Sequence, residues 1–582
     1  MRTIFARLLG TNTKKVGGAV RRLDVAIAEV SAPGLPFEVV DVAKNGTTIR
    51  HFKNAPTNLR QFFDTARGLD QTFLVYEDEE WSFDTVMQDV DALAHALVHH
   101  FGVQKGDRVG IAMRNYPEWI VSFAAITSIG AISVSLNAWW TETEIDYAIN
   151  DSELKVLLAD HERVLRASEP CARANVRVLG VRLHDGFEYP HQIERWSEVV
   201  VRGASMPDVE INADDDATIL YTSGTTGFPK GAVSTHGAIS QAIMAYASEG
   251  AIQNVRREPG EEGNGLAPCF ILIVPLFHVT GCVPVMLACF AGHLKLVMMY
   301  RWDSERALAL IERHRVTHFV GVPTQSWDLM ESPSFSKYDM SSLVGVGGGG
   351  APAPAKLVAR VGNSFKHGSP TLGYGMTETN AYGPRNYGAD YLANPSSTGR
   401  VPTIVMDVEI RDDELRPLAR GESGEIWLKS PALIRGYWRR PDATAETIVG
   451  GWLRTGDLGR IDDEGFLYVE DRVKDMILRG GENIYSAEVE SAIYEHPAVY
   501  EAAVFGLPHE RLGEEVACVV MLRDGMQLTE AELEAHLAGR LAAFKIPTHI
   551  AFTRESLPRN PAGKFLKREM PKRYFASSSD NA

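Results

Sequence analysis

A chain of 582 residues is long enough for several hydrophobic cores, and 45% apolar with 23% charged residues is the balance of a soluble globular enzyme. The formal net charge of −16 argues against a nucleic-acid binder, which needs clustered Lys and Arg against phosphates. It leaves room for anionic small molecules, because backbone amides and a few placed cations suffice locally.

Residues 1–50 read as an N-terminal extension of weak pattern. Arg2, Arg7, Lys14, Lys15, Arg21 and Arg22 precede the first acid, Asp24, and Ile4, Phe5, Leu8 and Leu9 share one face of a short helix. The segment is a candidate for weak peripheral membrane contact, with no apolar core long enough for a signal peptide. From about 51 to 471, β-rich runs alternate with helical ones, as in 108–113 followed by 117–129 and 156–158 followed by a helical stretch around His161. That alternation predicts α/β architecture with largely buried sheets. Two apolar stretches, 119–140 and 269–292, are broken by Gly130 and by Pro275, His278 and Pro284, so no integral membrane segment is expected. The first should be a buried helix, a glycine turn and a strand.

Asp471 to Lys474 form a charged connector, and 472–572 read as a small α+β domain. Its expected elements are a helix at 488–494, strands at 499–505 and 515–522, and a helix at 530–543. Residues 573–582 are Ser-rich and expected to be a disordered tail. The cysteines Cys171, Cys269, Cys282, Cys289 and Cys518 are odd in number, with no C-x-x-C pair, which favours a reducing cytoplasm over secretion.

The strongest chemical signal is YTSGTTGFPKG at 221–231, preceded by a strand-like run at 217–220. Ser223, Thr225 and Thr226 supply hydroxyl donors, Gly224 and Gly227 let amides turn inward, and Lys230 adds a cation. Such a loop suits a polyphosphate, although its spacing is not that of the Walker loop. This stretch closely resembles the phosphate loop of the adenylate-forming superfamily, which includes acyl-CoA synthetases, peptide adenylation domains and beetle luciferases. Further matches follow in order: PLFHVTG (275–281), GGGGAP (347–352), GYGMTE (373–378), GWLRTGD (451–457), DRVKDMI (471–477), RGGENIYSAEVE (479–490) and PRNPAGK (558–564).

The resemblance implies a large N-terminal adenylating domain of packed sheets and helices plus a small mobile C-terminal domain. It implies ATP, Mg²⁺ and coenzyme A as cofactors and a small-molecule carboxylic acid as substrate. Thr222, Ser223, Gly224, Thr225, Thr226 and Lys230 would hold phosphates, with Thr226, Glu378 and Lys564 in the catalytic set. Gly349, Ala351, Pro352, Tyr374, Gly375, Met376 and Thr377 would surround adenine and the α-phosphate. Glu378 would hold Mg²⁺, and Asp457 with Arg472 would hold the ribose. Lys564 would bridge the carboxylate and α-phosphate, offsetting charge built up during attack on phosphorus. Lys474 matches the hinge on which the small domain turns, bringing Gly480, Gly481 and Glu482 to the thiol.

His278, Val322, Gly348 and Met376 would line the acyl pocket. The glycine run 347–350 reads either as extra room there or as a close turn at the adenine site, and the apolar neighbours favour fatty or other hydrophobic acids. No Asp or Glu occurs in 275–281, where peptide adenylation domains place the carboxylate that pairs the substrate ammonium, so free coenzyme A is the expected acceptor. The alternatives are an adenylating enzyme with another acceptor, such as an acyl-AMP ligase or luciferase-like protein, and a non-catalytic nucleotide- or acyl-binding relative.

Overall fold

The structure, a computed structural model, describes residues 22–44, 46–189, 191–222, 229–256, 264–350, 353–479, 482–559 and 564–575. The basic N-terminal segment up to residue 21 and the tail from 576 lie outside the described residues.

Two eight-stranded sheets carry the large unit. In the first, Asp216–Thr222, Ile132–Ser135, Arg108–Ala112, Leu154–Asp160 and Arg177–Val181 run parallel, and Lys230–Thr235 returns antiparallel to Asp216–Thr222. In the second, Thr72–Tyr76, Lys295–Met298, Cys269–Leu272, His318–Gly321, Gly345–Gly349 and Ser369–Gly373 run parallel side by side. Parallel strands are typically covered on both faces, and Arg108–Ala112, Leu154–Asp160 and Lys295–Met298 accordingly read as largely apolar runs. The helix Pro117–Ser128 is buried on every side, the expected fate of a helix without a polar face. It ends at Gly130, whose φ of +68° turns the chain into Ile132–Ser135, so the uncharged stretch is helix, turn and strand. Among the described residues no helix is long and apolar enough to cross a membrane.

A third, antiparallel sheet includes Asp407–Arg411, Gly424–Lys429, Trp452–Ile461 and Phe466–Arg472. Beyond the turn at 473–475, a five-stranded sheet of Ile477–Arg479, Glu482–Ile484, Val499–His509, Gly513–Leu522 and His549–Thr553 packs with helices Ser486–Tyr494 and Glu530–Ala538. Ile477, Val489, Ile493, Val504, Cys518, Val520 and Leu533 give this small unit its own core. The α/β class and the large-plus-small arrangement stand. The helix expected over 530–543 stops at Ala538, before Gly539, a poor helix former. All five cysteines are free and buried.

Residues 22–52 depart from the weakly patterned extension read above. A helix, Leu23–Val30, and a hairpin of Val39–Lys44 with Thr47–Phe52 pack onto the large unit. Ala26, Phe37 and Phe52 join its main core, and the Phe52 backbone exchanges two hydrogen bonds with the Gln241 side chain at 2.8 and 3.1 Å. These elements are short, so their periodicity is too brief to register in sequence. Phe52→Ala should therefore cost about 3–5 kcal/mol in denaturant unfolding, as a buried aromatic does. A change within ~0.5 kcal/mol would place the hairpin outside the cooperative unit.

Candidate active site

The residues marked by sequence lie where chain direction puts them. In open parallel sheets, ligands sit beyond the carboxyl ends of the strands. Thr222 closes one such strand, and Val322, Gly349 and Tyr374 lie at the ends of three neighbouring strands of the second sheet. His278 follows Cys269–Leu272 in the same direction.

Thr222 and Lys230 face each other across the antiparallel pair, and the Thr222 hydroxyl donates to the Lys230 carbonyl at 3.3 Å. The hairpin tip, with Ser223, Gly224, Thr225 and Thr226, lies outside the described residues. Its base points to Glu378. The Lys230 Nζ lies 5.1 Å from the centroid of the Tyr437 ring, a cation–π distance. The Tyr437 hydroxyl in turn donates to Glu378 Oε1 at 2.7 Å. Burial, then the Glu378 charge, pushes the Tyr437 pKa upward, so the phenol stays a donor. Glu378 is 6% exposed and sits in a short turn, Thr377–Thr379.

The second carboxylate, Asp457, is 8% exposed and pairs in register with Arg472 on the adjacent strand. Arg472 Nε lies 3.3 Å from Asp457 Oδ1, and the Tyr374 hydroxyl donates to Oδ2 at 2.7 Å. Each carboxylate oxygen keeps a further lone pair for a ligand hydroxyl. Lys564, from the small unit, completes the set. Burial and the Arg472 charge lower its pKa to about 8, opposed by Asp457 and Glu378. The same lysine lies in electrostatic reach of His278, whose pKa burial and Lys564 hold at about 4. His278 is thus neutral at neutral pH. The Thr280 N–H donates to its Nδ1 at 3.3 Å, which leaves the proton on Nε2.

The glycine run has a backbone reason. Gly347 and Gly348 adopt φ of +153° and +156°, and a Cβ on either would lie 1.9 Å from a carbonyl oxygen, of Thr371 and Gly321 respectively. The close approach of neighbouring strands, rather than space for substrate, excludes side chains there. Val322 caps the helix Pro323–Glu331, its N–H held by Gln325 Oε1 at 2.9 Å. Gly375 and Met376 continue from Tyr374 toward Glu378. Ala351, Pro352, Gly480 and Gly481 lie outside the described residues. Glu482, exposed, opens the strand Glu482–Ile484, and Lys474 sits exposed in the turn at 473–475.

Sequence reasoning missed Tyr437, the link between Lys230 and Glu378. Its one local sign is an aromatic beside Gly436, and its position depends on pairing between Gly436–Tyr437 and Lys230–Thr235. It also missed a buried network beside the connector. Asp471 accepts from the Ser486 backbone N–H and hydroxyl, and Lys567 reaches Ser486 Oγ at 2.6 Å and Glu490 at 2.7 Å.

Comparison with known proteins agrees with this geometry. The AMP-binding enzyme model matches residues 62–438 and the AMP-binding enzyme C-terminal domain model matches 488–564. The chain belongs to the AMP-binding enzyme family. It is 35% identical over 478 residues to the long-chain-fatty-acid–CoA ligase FadD13 of Mycobacterium tuberculosis, covering 82% of this chain and 90% of that protein. It is 34% identical over 476 residues to feruloyl-CoA synthase of Amycolatopsis sp, covering 81% and 90%. Among solved structures, the amide bond synthetase McbA from Marinactinospora thermotolerans superimposes with a TM-score of 0.76 at 28% identity, over 88% of this chain and 98% of that one. This AMP-binding enzyme shares the adenylate-forming fold.

Two outcomes follow from the site's electrostatics. Tyr437→Phe removes a hydrogen bond to a charged group, worth about 1.5–3 kcal/mol, and should lower acid-dependent pyrophosphate release by ~10-fold or more. A catalytic Lys564 would act as an ammonium, and burial with the Arg472 charge brings its pKa down to about 8, so it loses its proton above that pH. The kcat/KM of adenylation for ATP should therefore fall above about pH 8; a profile flat to about pH 10 would contradict the role.

Proposed function

We propose that the chain is an ATP-dependent carboxylate–CoA ligase. It joins an acid to the α-phosphate of ATP as an acyl-adenylate, releasing pyrophosphate, then passes the acyl group to the coenzyme A thiol, releasing AMP. The observation that supports this reading is that the base of the phosphate hairpin, Glu378, the Asp457–Arg472 pair and Lys564 are linked by short contacts and mutual electrostatics, although they come from five segments and two units.

The roles follow from the chemistry of each group. Amides and hydroxyls of 222–226 with Lys230 cradle phosphates. Asp457 accepts from ribose hydroxyls, and Tyr374 provides an aromatic wall for adenine. Lys564, in electrostatic reach of Glu378 and Asp457, would bridge the carboxylate and the α-phosphate as the family resemblance implies, its charge offsetting the negative charge of attack. Neutral His278 offers its Nε2–H beside the acid. Glu378 supplies a hard oxygen for the Mg²⁺ that arrives with ATP. Among the described residues no three His, Cys, Asp or Glu side chains gather as a metal site, so Glu378 suits a cation whose other ligands are phosphate and water.

The acid is a hydrophobic one. Val322 and Met376, both apolar, follow the strand ends that border the site. Fatty and feruloyl groups, named in the two sequence relatives, are both apolar in bulk. Lys474 serves as the hinge that exchanges Lys564 for the loop carrying Gly480, Gly481 and Glu482, and the five free thiols suit a reducing cytoplasm.

The structural likeness to an amide bond synthetase keeps one second reading, an amine in place of the thiol, since fold alone does not choose the acceptor. A panel of fatty, aromatic and short polar acids, each mixed with ATP and either coenzyme A or an amine, separates the two. Acyl-CoA and AMP with apolar acids are expected, and amide products without thioester would overturn the thiol assignment. Lys564→Ala should lower adenylation at least ~10²-fold while sparing thioester formation from premade acyl-adenylate. Equal loss in both half-reactions would refute its assignment.

A further inference from the structure

Away from the nucleotide, the small unit grips the large one at a second place. The helix Pro323–Glu331 begins beside the site at Val322 and ends, nine residues on, at two acids one turn apart, Asp328 and Glu331. Donors of the large unit hold both acids. Trp302 Nε1 donates to Asp328 Oδ2 at 2.8 Å, and Arg360 donates to Glu331 Oε1 at 2.9 Å. The small unit supplies the complementary donors from one end of its central hairpin. The Tyr500 hydroxyl donates to Asp328 Oδ1 at 2.7 Å, and Arg523 donates to Glu331 Oε1 at 2.5 Å. Arg360 and Arg523 also lie over the Trp327 ring, at 5.0 and 5.6 Å from its centroid.

An isolated surface ion pair contributes little, because water screens it. This cluster differs. Arg523 and Glu331 are each about three-quarters covered, and burial with the Asp328 hydrogen bond raises the Tyr500 pKa. Asp328 and Glu331 are also fixed before the small unit arrives, so docking orders few side chains. Turning the small unit at 473–475 must separate both pairs, because Tyr500 and Arg523 travel with it and Asp328 and Glu331 do not.

We propose that Tyr500 and Arg523 are positioning residues: their clasp on Asp328 and Glu331 holds the small unit in the orientation that keeps Lys564 against Glu378 and Asp457, favouring adenylation over thioester formation. This rests on the two-step ligase reading above. It ties the small unit to the far end of the helix whose near end borders the acyl pocket.

The test is single-turnover kinetics of each half-reaction in the full chain, comparing wild type, Tyr500→Phe/Arg523→Gln and Arg523→Lys, with thermal midpoints alongside. The double variant should form acyl-adenylate roughly 10-fold more slowly, as expected for losing hydrogen bonds to charged groups. It should convert premade acyl-adenylate and coenzyme A to thioester at the wild-type rate or faster, and Arg523→Lys should recover most of the adenylation rate. Unchanged adenylation, or equal slowing of both steps with or without a lower midpoint, would overturn the clasp. A wild-type chain forming no acyl-adenylate from any acid in the panel would instead overturn the ligase reading itself.

Discussion

A lysine must be charged to act at Lys564, yet the place where it acts is one that burial discourages it from being charged. Asp457 and Glu378 favour the ammonium, while burial and Arg472 oppose it, and the balance leaves its pKa at about 8. An arginine would not share that balance, because it stays charged and makes forked, persistent pairs with carboxylates.

The orientation of the small unit also depends on contacts away from Lys564. Those at the connector are close to the axis. Asp471, on the last strand of the large unit, meets the N-terminus of the helix Ser486–Tyr494, a favourable place for a carboxylate, and Lys567 shares that network. Points near a pivot move little during rotation, so such contacts can adjust without a large barrier. Tyr500 and Arg523 lie farther along the small unit and would sweep through a larger arc. Geometry therefore assigns the connector network to continuity and the distal pairs to orientation.

Much of the site was legible because its residue types are chemically dictated and its segments end strands. The glycines and hydroxyls at 222–226 pointed to phosphate by residue type, whereas the carboxylates at 378 and 457 and the lysine at 564 took their expected roles from the collinear family motifs around them. The alternation of apolar runs likewise pointed to buried parallel sheets, and Gly130 correctly divided helix from strand. What escaped depends on pairing between distant segments. Tyr437 reaches Glu378 only because Gly436–Tyr437 joins the edge of the first sheet. Of the two readings of the glycine run 347–350, spare room and close backbone packing, the structure fits the second, since the strands beside it leave no space for a Cβ at Gly347 or Gly348. The N-terminal helix and hairpin were too short to show a period, and they owe their order to Phe37 and Phe52 entering a core built by later residues.

The glycine strand also shows how one constraint shapes two properties. Close backbone approach at Gly347 and Gly348 is a demand of the sheet, indifferent to substrate. Its consequence is a stretch of strand without side chains beside Val346 and Leu372. On the proposed reading of an apolar acid, specificity need not come from a particular recognition residue. It can follow from what that stretch lacks, because a polar acyl group entering such surroundings would leave its donors and acceptors unpaired, at a cost of roughly 1–3 kcal/mol each. Discrimination of this kind rejects polar acids firmly but separates chain lengths weakly, since one methylene is worth only about 1 kcal/mol.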